Sequence, residues 1–484
     1  MSKGPIINNV TKNFTTRDSL GIEGVATSIA SEICPIVNTV TPRPFYWAFI
    51  TWCYYDFYRN CNPKDRTNEN VKDYIKRQNY FLALGSLLAG NQEVGGFTGT
   101  QNILENTDME KNFFEYNEKY LKNKLSNMGY YLSGITTMNF LVEKDKETNE
   151  QYKYPKLTPE GKKLAISFDN IISKSKYYQN RVTGLEFSRE DLIDLGNIVR
   201  INLDGFDETK SILSNHLFNM KSTSQLREDY NYLKFLYEKY NIKNLDLSKC
   251  RELFYDYFSI RGNNYKYPVE LKEIINSWEI VIARQYFTVG LEMIWKFMLE
   301  NLETSKEEIK WFNDCFNNSK FKFDLNGNVS SIIDECKYTF SDREELIYMA
   351  SKNGDHSSNI ENGIRIIISI FNRIVNRDDL TYRVKNFYDY GIERGSISLN
   401  EFIEKVQEYN DKSIKDFIVY IMHNYLLIQH LNTAFEKMMD GRNGYYLEKI
   451  DEKYIVREQF DIAFQGIRMV QLLSVMRDLR ELEG

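Results

Sequence analysis

Residues 140–165 read Phe-Leu-Val-Glu-Lys-Asp-Lys-Glu-Thr-Asn-Glu-Gln-Tyr-Lys-Tyr-Pro-Lys-Leu-Thr-Pro-Glu-Gly-Lys-Lys-Leu-Ala. Two apolar or aromatic runs, Phe140–Val142 and Tyr152–Lys156, flank the polar stretch Glu143–Gln151, which is the pattern of a hairpin with a charged tip. Thr158 then stands as an N-cap, Pro159 as the first helical residue, and Leu164 and Phe168 as the inward face of a helix. Upstream, Asp108–Leu125 carries the charge alternation expected of an amphipathic helix. The segment therefore predicts helix, hairpin, helix.

That order, with the phrase Leu157-Thr-Pro-x-Gly161, resembles the wing of winged-helix domains over residues 105–180. The resemblance implies either a helix in a DNA groove with the wing on the backbone, or a protein–protein module. The tip holds Glu143, Lys144, Asp145, Lys146, Glu147 and Glu150, whereas a DNA-facing wing normally presents net positive charge. Lys162, Lys163, Lys174 and Lys176 lie beyond it and are the candidate nucleic-acid contacts of this unit, or else a solvated face.

Outward from this unit the chain reads as helix. Of 8 prolines none follows Pro268, and proline interrupts helices. Helices are expected over Asp18–Cys34, Val71–Ala89, Trp278–Leu299, Ser341–Met349, Asn359–Ile374, Ser398–Tyr409 and Ile414–Met438, with a capping box at Ser188. Residues 1–17 look like a polar arm. The helix after Pro44 is apolar nearly all round, so Phe45, Phe49 and Trp52 either are buried or face a partner, and they are the candidate partner-binding residues. Near the end, a hairpin of Tyr445–Ile450 and Tyr454–Arg457, followed by a helix over Gln459–Glu481, suggests a second winged unit, and Arg468, Arg477 and Arg480 are its candidate nucleic-acid contacts. The expected fold is mainly α: an N-terminal helical region (1–104), a winged-helix-like domain (105–180), a helical body (181–430) and a C-terminal winged-helix-like unit (431–484).

Signatures of chemistry are sparse. The glycine-rich stretch Gly90–Gly99 lacks the Gly-Lys-Ser/Thr ending of a phosphate loop. His423 and His430 are seven apart, not the i, i+4 of a helical metal pair. Asp355-His356-Ser357 has no second histidine–aspartate pair, and no Gly-x-Ser-x-Gly elbow supports a serine triad. Asp324, Glu335 and Lys337 imitate the D…E-x-K pattern of Mg²⁺ nucleases, although Ser330–Lys337 also reads as a helical turn. No metal, cofactor or catalytic residue is assigned. The 6 cysteines contain no C-x-x-C pair, which suits reduced thiols. The longest uncharged apolar stretches, 44–55 and 79–92, fall short of the about 20 residues that span a bilayer. A cytoplasmic location with no membrane contact is expected. With 68 acidic against 62 basic residues, net −6, a generally basic nucleic-acid coat is excluded, but a local basic face is not.

Several further phrases, Leu20-Gly-Ile22, Thr41-Pro-Arg-Pro-Phe-Tyr-x-x-Phe-x-x-Trp52, Leu157-Thr-Pro-x-Gly161, and Arg284-Gln-Tyr-Phe287 with Trp295, resemble a loosely defined group of bacterial proteins encoded in phage-defence gene clusters. That resemblance implies a subunit working beside an operon-encoded ATPase or nuclease. The expected function is thus a non-catalytic scaffold or sensor subunit of an anti-phage complex. The alternatives are a winged-helix DNA-binding protein and a Mg²⁺-dependent nuclease.

Overall fold

The computed structural model describes residues 18–38, 43–91, 97–120, 126–145, 147–219, 223–241, 267–336, 356–441, 446–458, 460–462 and 466–482. It is mainly helical, 63% helix against 7% strand. The chain forms two compact units, and each takes one terminus from the other end of the sequence. Ser31–Leu247 joins Ile467–Gly484 in the first, and Met1–Ala30 joins Ser248–Gly466 in the second. The division falls within helix α1 (Glu23–Ile33).

In the first unit the aromatic helix is α2 (Phe45–Asn60), followed by α3 (Asn68–Leu88) and a short α4 (Thr100–Asn106). The charged helix expected over Asp108–Leu125 does not form in the described residues 108–120. Strand β1 (Phe113–Glu115) stands there, with Phe114 buried and its two neighbours exposed. Two adjacent phenylalanines satisfy a period-two pattern once a partner strand is available, and long-range pairing then overrides the charge alternation. Next come α5 (Ser126–Thr137), the antiparallel hairpin β2 (Leu141–Lys144) and β3 (Gln151–Leu157), and α6 (Pro159–Ile172). β4 (Glu186–Ser188) is the antiparallel partner of β1, and α7 (Arg189–Ile198) starts at the Ser188 cap, whose Oγ accepts from Asp191 N. Helices α8 (Asp207–Phe218) and α9 (Ser224–Tyr240) follow.

The junction of hairpin and α6 explains the Leu-Thr-Pro-x-Gly phrase. Thr158 N donates to Phe140 O at 3.1 Å, and its Oγ1 donates to Asn139 O at 2.6 Å while accepting from Gly161 N at 2.9 Å. Threonine thus closes the first strand and opens the helix. The bare Cα of Gly161 rests on the Phe140 carbonyl, where any Cβ would overlap backbone atoms. Leu164 and Phe168 are fully buried, as the pattern predicted.

The second unit is built around α10 (Lys272–Glu300), which is buried over nearly its whole length. Strand β5 (Lys306–Glu307), α11 (Glu308–Asn318), α12 (Val329–Glu335), α13 (Asn359–Ile374), the short α14 (Tyr382–Asn386), α15 (Leu399–Glu408) and α16 (Ile414–Tyr420) follow. Residues Ile421–Ile428 form a π-helical segment that runs into α17 (Gln429–Met439), so the single helix expected over Ile414–Met438 is continuous but locally unwound. The expected helix Ser341–Met349 lies outside the described residues.

In each unit a pair of long helices crosses at glycine. α10 and α13 meet at Gly290 and Gly363, and α3 and α7 at Gly85 and Gly196; a Cβ on Gly363 or Gly196 would overlap the backbone oxygen opposite. Such crossings bring helix backbones closer than side chains otherwise permit. Arg284, buried in α10, donates from Nη1 to Ile397 O at 2.7 Å and from Nη2 to Tyr388 O at 2.5 Å. Burial pulls its pKa down to about 9, which leaves it charged at neutral pH. This arginine of the Arg284-Gln-Tyr-Phe287 phrase ties loop carbonyls to the central helix.

At the end of the chain β6 (Leu447–Ile450) and β7 (Lys453–Val456) pair antiparallel, and β5 adds to β7 to make three strands. The helix expected over Gln459–Glu481 is shorter, α18 (Arg468–Asp478). The hairpin belongs to the second unit and α18 to the first, so the elements expected to share one C-terminal winged unit are divided. No helix among the described residues is long and apolar enough to cross a membrane.

Candidate interaction surfaces

The aromatic helix α2 is committed to the interior. Phe45 stacks on Phe49 at 5.6 Å and meets Phe97 and Phe168 edge-on, and Trp52 lies 5.6 Å from Phe168. All three candidate partner-binding residues, Phe45, Phe49 and Trp52, are fully buried. Packed this way they offer nothing to a partner; the core of the first unit takes the area an interface would have used.

The polar side of α2 holds the densest charge network. Asp56, fully buried, accepts from Arg181 Nε at 2.9 Å and Nη2 at 2.5 Å, from Tyr74 Oη at 2.5 Å and from Arg59 Nη2 at 3.1 Å. Burial, reinforced by the Asp56 carboxylate, pushes the Tyr74 phenol well up. Asp169 on α6 accepts from Trp52 Nε1 at 2.8 Å and Tyr178 Oη at 2.7 Å, and pairs with Arg59 at 3.3 Å. Two carboxylates face two guanidiniums with their hydrogen-bonding positions occupied, which makes this a lock between α2, α6 and the 177–181 turn.

The wing-like hairpin is ordered from within. Asp145 at its tip accepts from Glu147 N at 2.9 Å, Thr148 N at 3.1 Å and Tyr152 Oη at 2.7 Å. The tyrosine bond leads in holding its carboxyl down at about 2, so the tip carries a fixed negative charge at physiological pH. Lys156 sits 3.6 Å above the Tyr152 ring. The preceding helix α5, which occupies the groove-entering position of a winged helix, contains no charged residue at all. Its outward residues are Tyr130, Ser133 and Thr137.

Among the candidate nucleic-acid residues, Lys162 and Lys174 are exposed with no ion pair to any described residue, whereas Lys163 pairs with Glu160 at 2.9 Å and Lys176 with Glu190. Arg468 is turned inward: Nη1 donates to Cys34 O at 3.0 Å and Val37 O at 2.9 Å, and Nη2 donates to Ser31 Oγ. It secures the chain after α1, and burial lowers its pKa. Arg480 bonds Asp204 at 3.4 Å, and Arg477 is exposed on α18. The structure therefore brings Lys162, Lys163 and Lys174 onto α6 and the turn after it, but it withdraws Arg468 from any ligand.

The catalytic alternatives meet occupied groups. Glu335 ends a helix rather than a strand, and its carboxylate pairs with Arg365 at 2.7 Å; Asp324 caps its own turn through Asn326 N at 3.0 Å; Lys337 lies outside the described residues. His423 Nδ1 is 2.6 Å from Glu308, while His430 is buried elsewhere on α17. No group of three or more His, Cys, Asp or Glu is placed to hold a metal ion among the described residues.

Helix α17 has its faces reversed. Its buried residues are His430, Thr433, Ala434 and Lys437, and its outward ones include Phe435 at 55% exposure and Met439 at 71%, with Ile428 just before it at 37%. The polar face is inward because it serves backbone. Gln429 Nε2 donates to Leu20 O at 2.9 Å, His430 Nδ1 to Ser19 O at 2.9 Å, and Lys437 Nζ to Asp18 O. Three successive carbonyls of an irregular segment thus find side-chain donors in the interior. A carbonyl can only accept, so His430 carries its proton on Nδ1, and burial lowers its pKa to about 4. The unfolded chain takes up a proton near pH 6.5 and the folded one only near 4, so stability should fall as pH drops through that window. About 2 kcal/mol should be lost by pH 5. Urea unfolding at pH 7 and pH 5 tests this; a His430→Gln variant should lose less. This exposed face of α17 was not anticipated in the sequence. The spacing of Ile428, Leu431, Phe435 and Met438, offset from His430, Thr433 and Lys437, was the available signal.

No family model, curated protein or solved structure matches the chain.

Proposed function

We propose that the chain is a non-catalytic scaffold or sensor subunit of a multi-protein bacterial anti-phage defence complex, working with an operon-encoded ATPase or nuclease. The defence assignment rests on the sequence resemblance. The subunit role is supported chiefly by the wing-like unit, whose groove-position helix is uncharged and whose tip carries a held carboxylate. Phosphate backbones repel such a surface, whereas protein partners accept it. In addition, the nuclease-like Glu335 is engaged by Arg365. The test is affinity purification of the tagged chain from its native operon. A neighbouring gene product should be retained in fixed ratio through size exclusion; a lone chain would remove the reading.

DNA binding is the second reading, favoured by the unpaired, exposed Lys162 and Lys174. It predicts duplex affinity that falls steeply with salt and is reduced in a Lys162→Glu/Lys163→Glu/Lys174→Glu variant. Absence of duplex binding at low salt would eliminate it.

A further inference from the structure

We propose that the outward face of α17 is a docking site for a basic amphipathic helix of a partner protein, a proposal that rests on the subunit reading above. Ile428, Leu431, Phe435, Met438 and Met439 follow the three-and-four spacing of a helix-packing stripe, here facing away from the unit's own core. The stripe covers three turns, about 16 Å of axis, which suits one short helix in the groove-and-stripe mode of recognition. Its aromatic and methionine side chains are of the kind that adapt to a partner's surface.

The flanks choose between occupants. Along one side of the stripe run Gln429, Asn432, Glu436 and Asp440. The turn at residues 391–395 packs against this side, with Gln429 Nε2 donating to Gly395 O at 2.9 Å, and contributes exposed Ile392 and Glu393. The only cation within α17, Lys437, is turned inward onto Asp18 O. The rim is therefore acidic beside an apolar strip. An antiparallel two-fold pair of copies would set that acidic flank against itself, whereas a partner helix with lysine or arginine beside its apolar positions would be complemented.

The test uses the full chain co-expressed with the products of its adjacent genes, comparing wild type with Phe435→Glu, Met439→Glu and Glu436→Lys. A Phe113→Glu variant, at an exposed position of the other unit, is the control. The proposal expects at least a tenfold drop in retained partner for Phe435→Glu and Met439→Glu, a smaller drop for Glu436→Lys, and none for Phe113→Glu, with circular dichroism unchanged in all. Partner retained equally by all variants would overturn the α17 site while leaving the subunit reading intact. No partner with wild type would overturn both. A wild-type dimer that Phe435→Glu converts to a monomer, with partner retention unchanged, would overturn the heterologous helix in favour of a second copy.

Discussion

Replacing Asp56 with alanine is expected to cost the first unit about 3–5 kcal/mol, because it strands the buried Arg181 guanidinium without its carboxylate. Arg181 is nearly buried and makes two of its bonds to Asp56. Its remaining contacts, Nη1 to Tyr178 O at 2.5 Å and the Tyr178 ring 3.3 Å away, do not neutralise the charge. Tyr74 would lose its acceptor at the same time. A loss of that size is a large fraction of the stability of an ordinary domain. Urea unfolding followed by the fluorescence of Trp47 and Trp52, both buried in α2, measures it. An Asp56→Leu/Arg181→Leu pair should recover much of the loss, since the penalty comes from the unpaired charge rather than from the missing bond. A loss below about 1 kcal/mol for Asp56→Ala would mean that water reaches the guanidinium and that the lock is not dry.

Gly161→Ala is expected to cost about 3 kcal/mol, at the upper end of overpacking penalties, although alanine is the better helix former. Propensity favours the change by about 1 kcal/mol, and the clash with the Phe140 carbonyl opposes it. The clash wins because its other side is backbone, held by the Thr158–Phe140 and Thr158–Asn139 bonds. Relief requires α6 to slide away from the hairpin. The loss should therefore appear as faster amide exchange of β2 and β3 and in a lower thermal midpoint. If Gly161→Ala proved neutral or stabilising, the close seating of α6 on the hairpin would be wrong.

The parts of the fold legible in the sequence are those fixed by neighbours in the chain. The hairpin, the Thr158 and Ser188 caps, α10 and α13 all depend on local periodicity and on capping residues within four positions. The β1–β4 ribbon was not legible, because Phe113 and Phe114 read as strand only once Phe187 is opposite. Likewise, an apolar helix such as α2 has one signature whether it meets its own core or another protein, and Phe168 and Phe97 decide the matter. Arg468 looked like a surface arginine in an arginine-rich tail; its true partners are carbonyls at residues 34 and 37, at the far end of the sequence. Exchange of the two termini between units depends on such distant contacts. Candidate chemistry fared similarly: the acidic pattern at Asp324 and Glu335 carried no trace of Arg365, which takes up Glu335.

Native mass spectrometry of the chain co-expressed with its neighbouring genes tests the central claim most directly. The account predicts a discrete species heavier than the 57.3 kDa chain by the mass of one or more neighbour products. A spectrum holding only the 57.3 kDa species, or only multiples of it, would contradict the claim that this protein is a subunit of a larger complex.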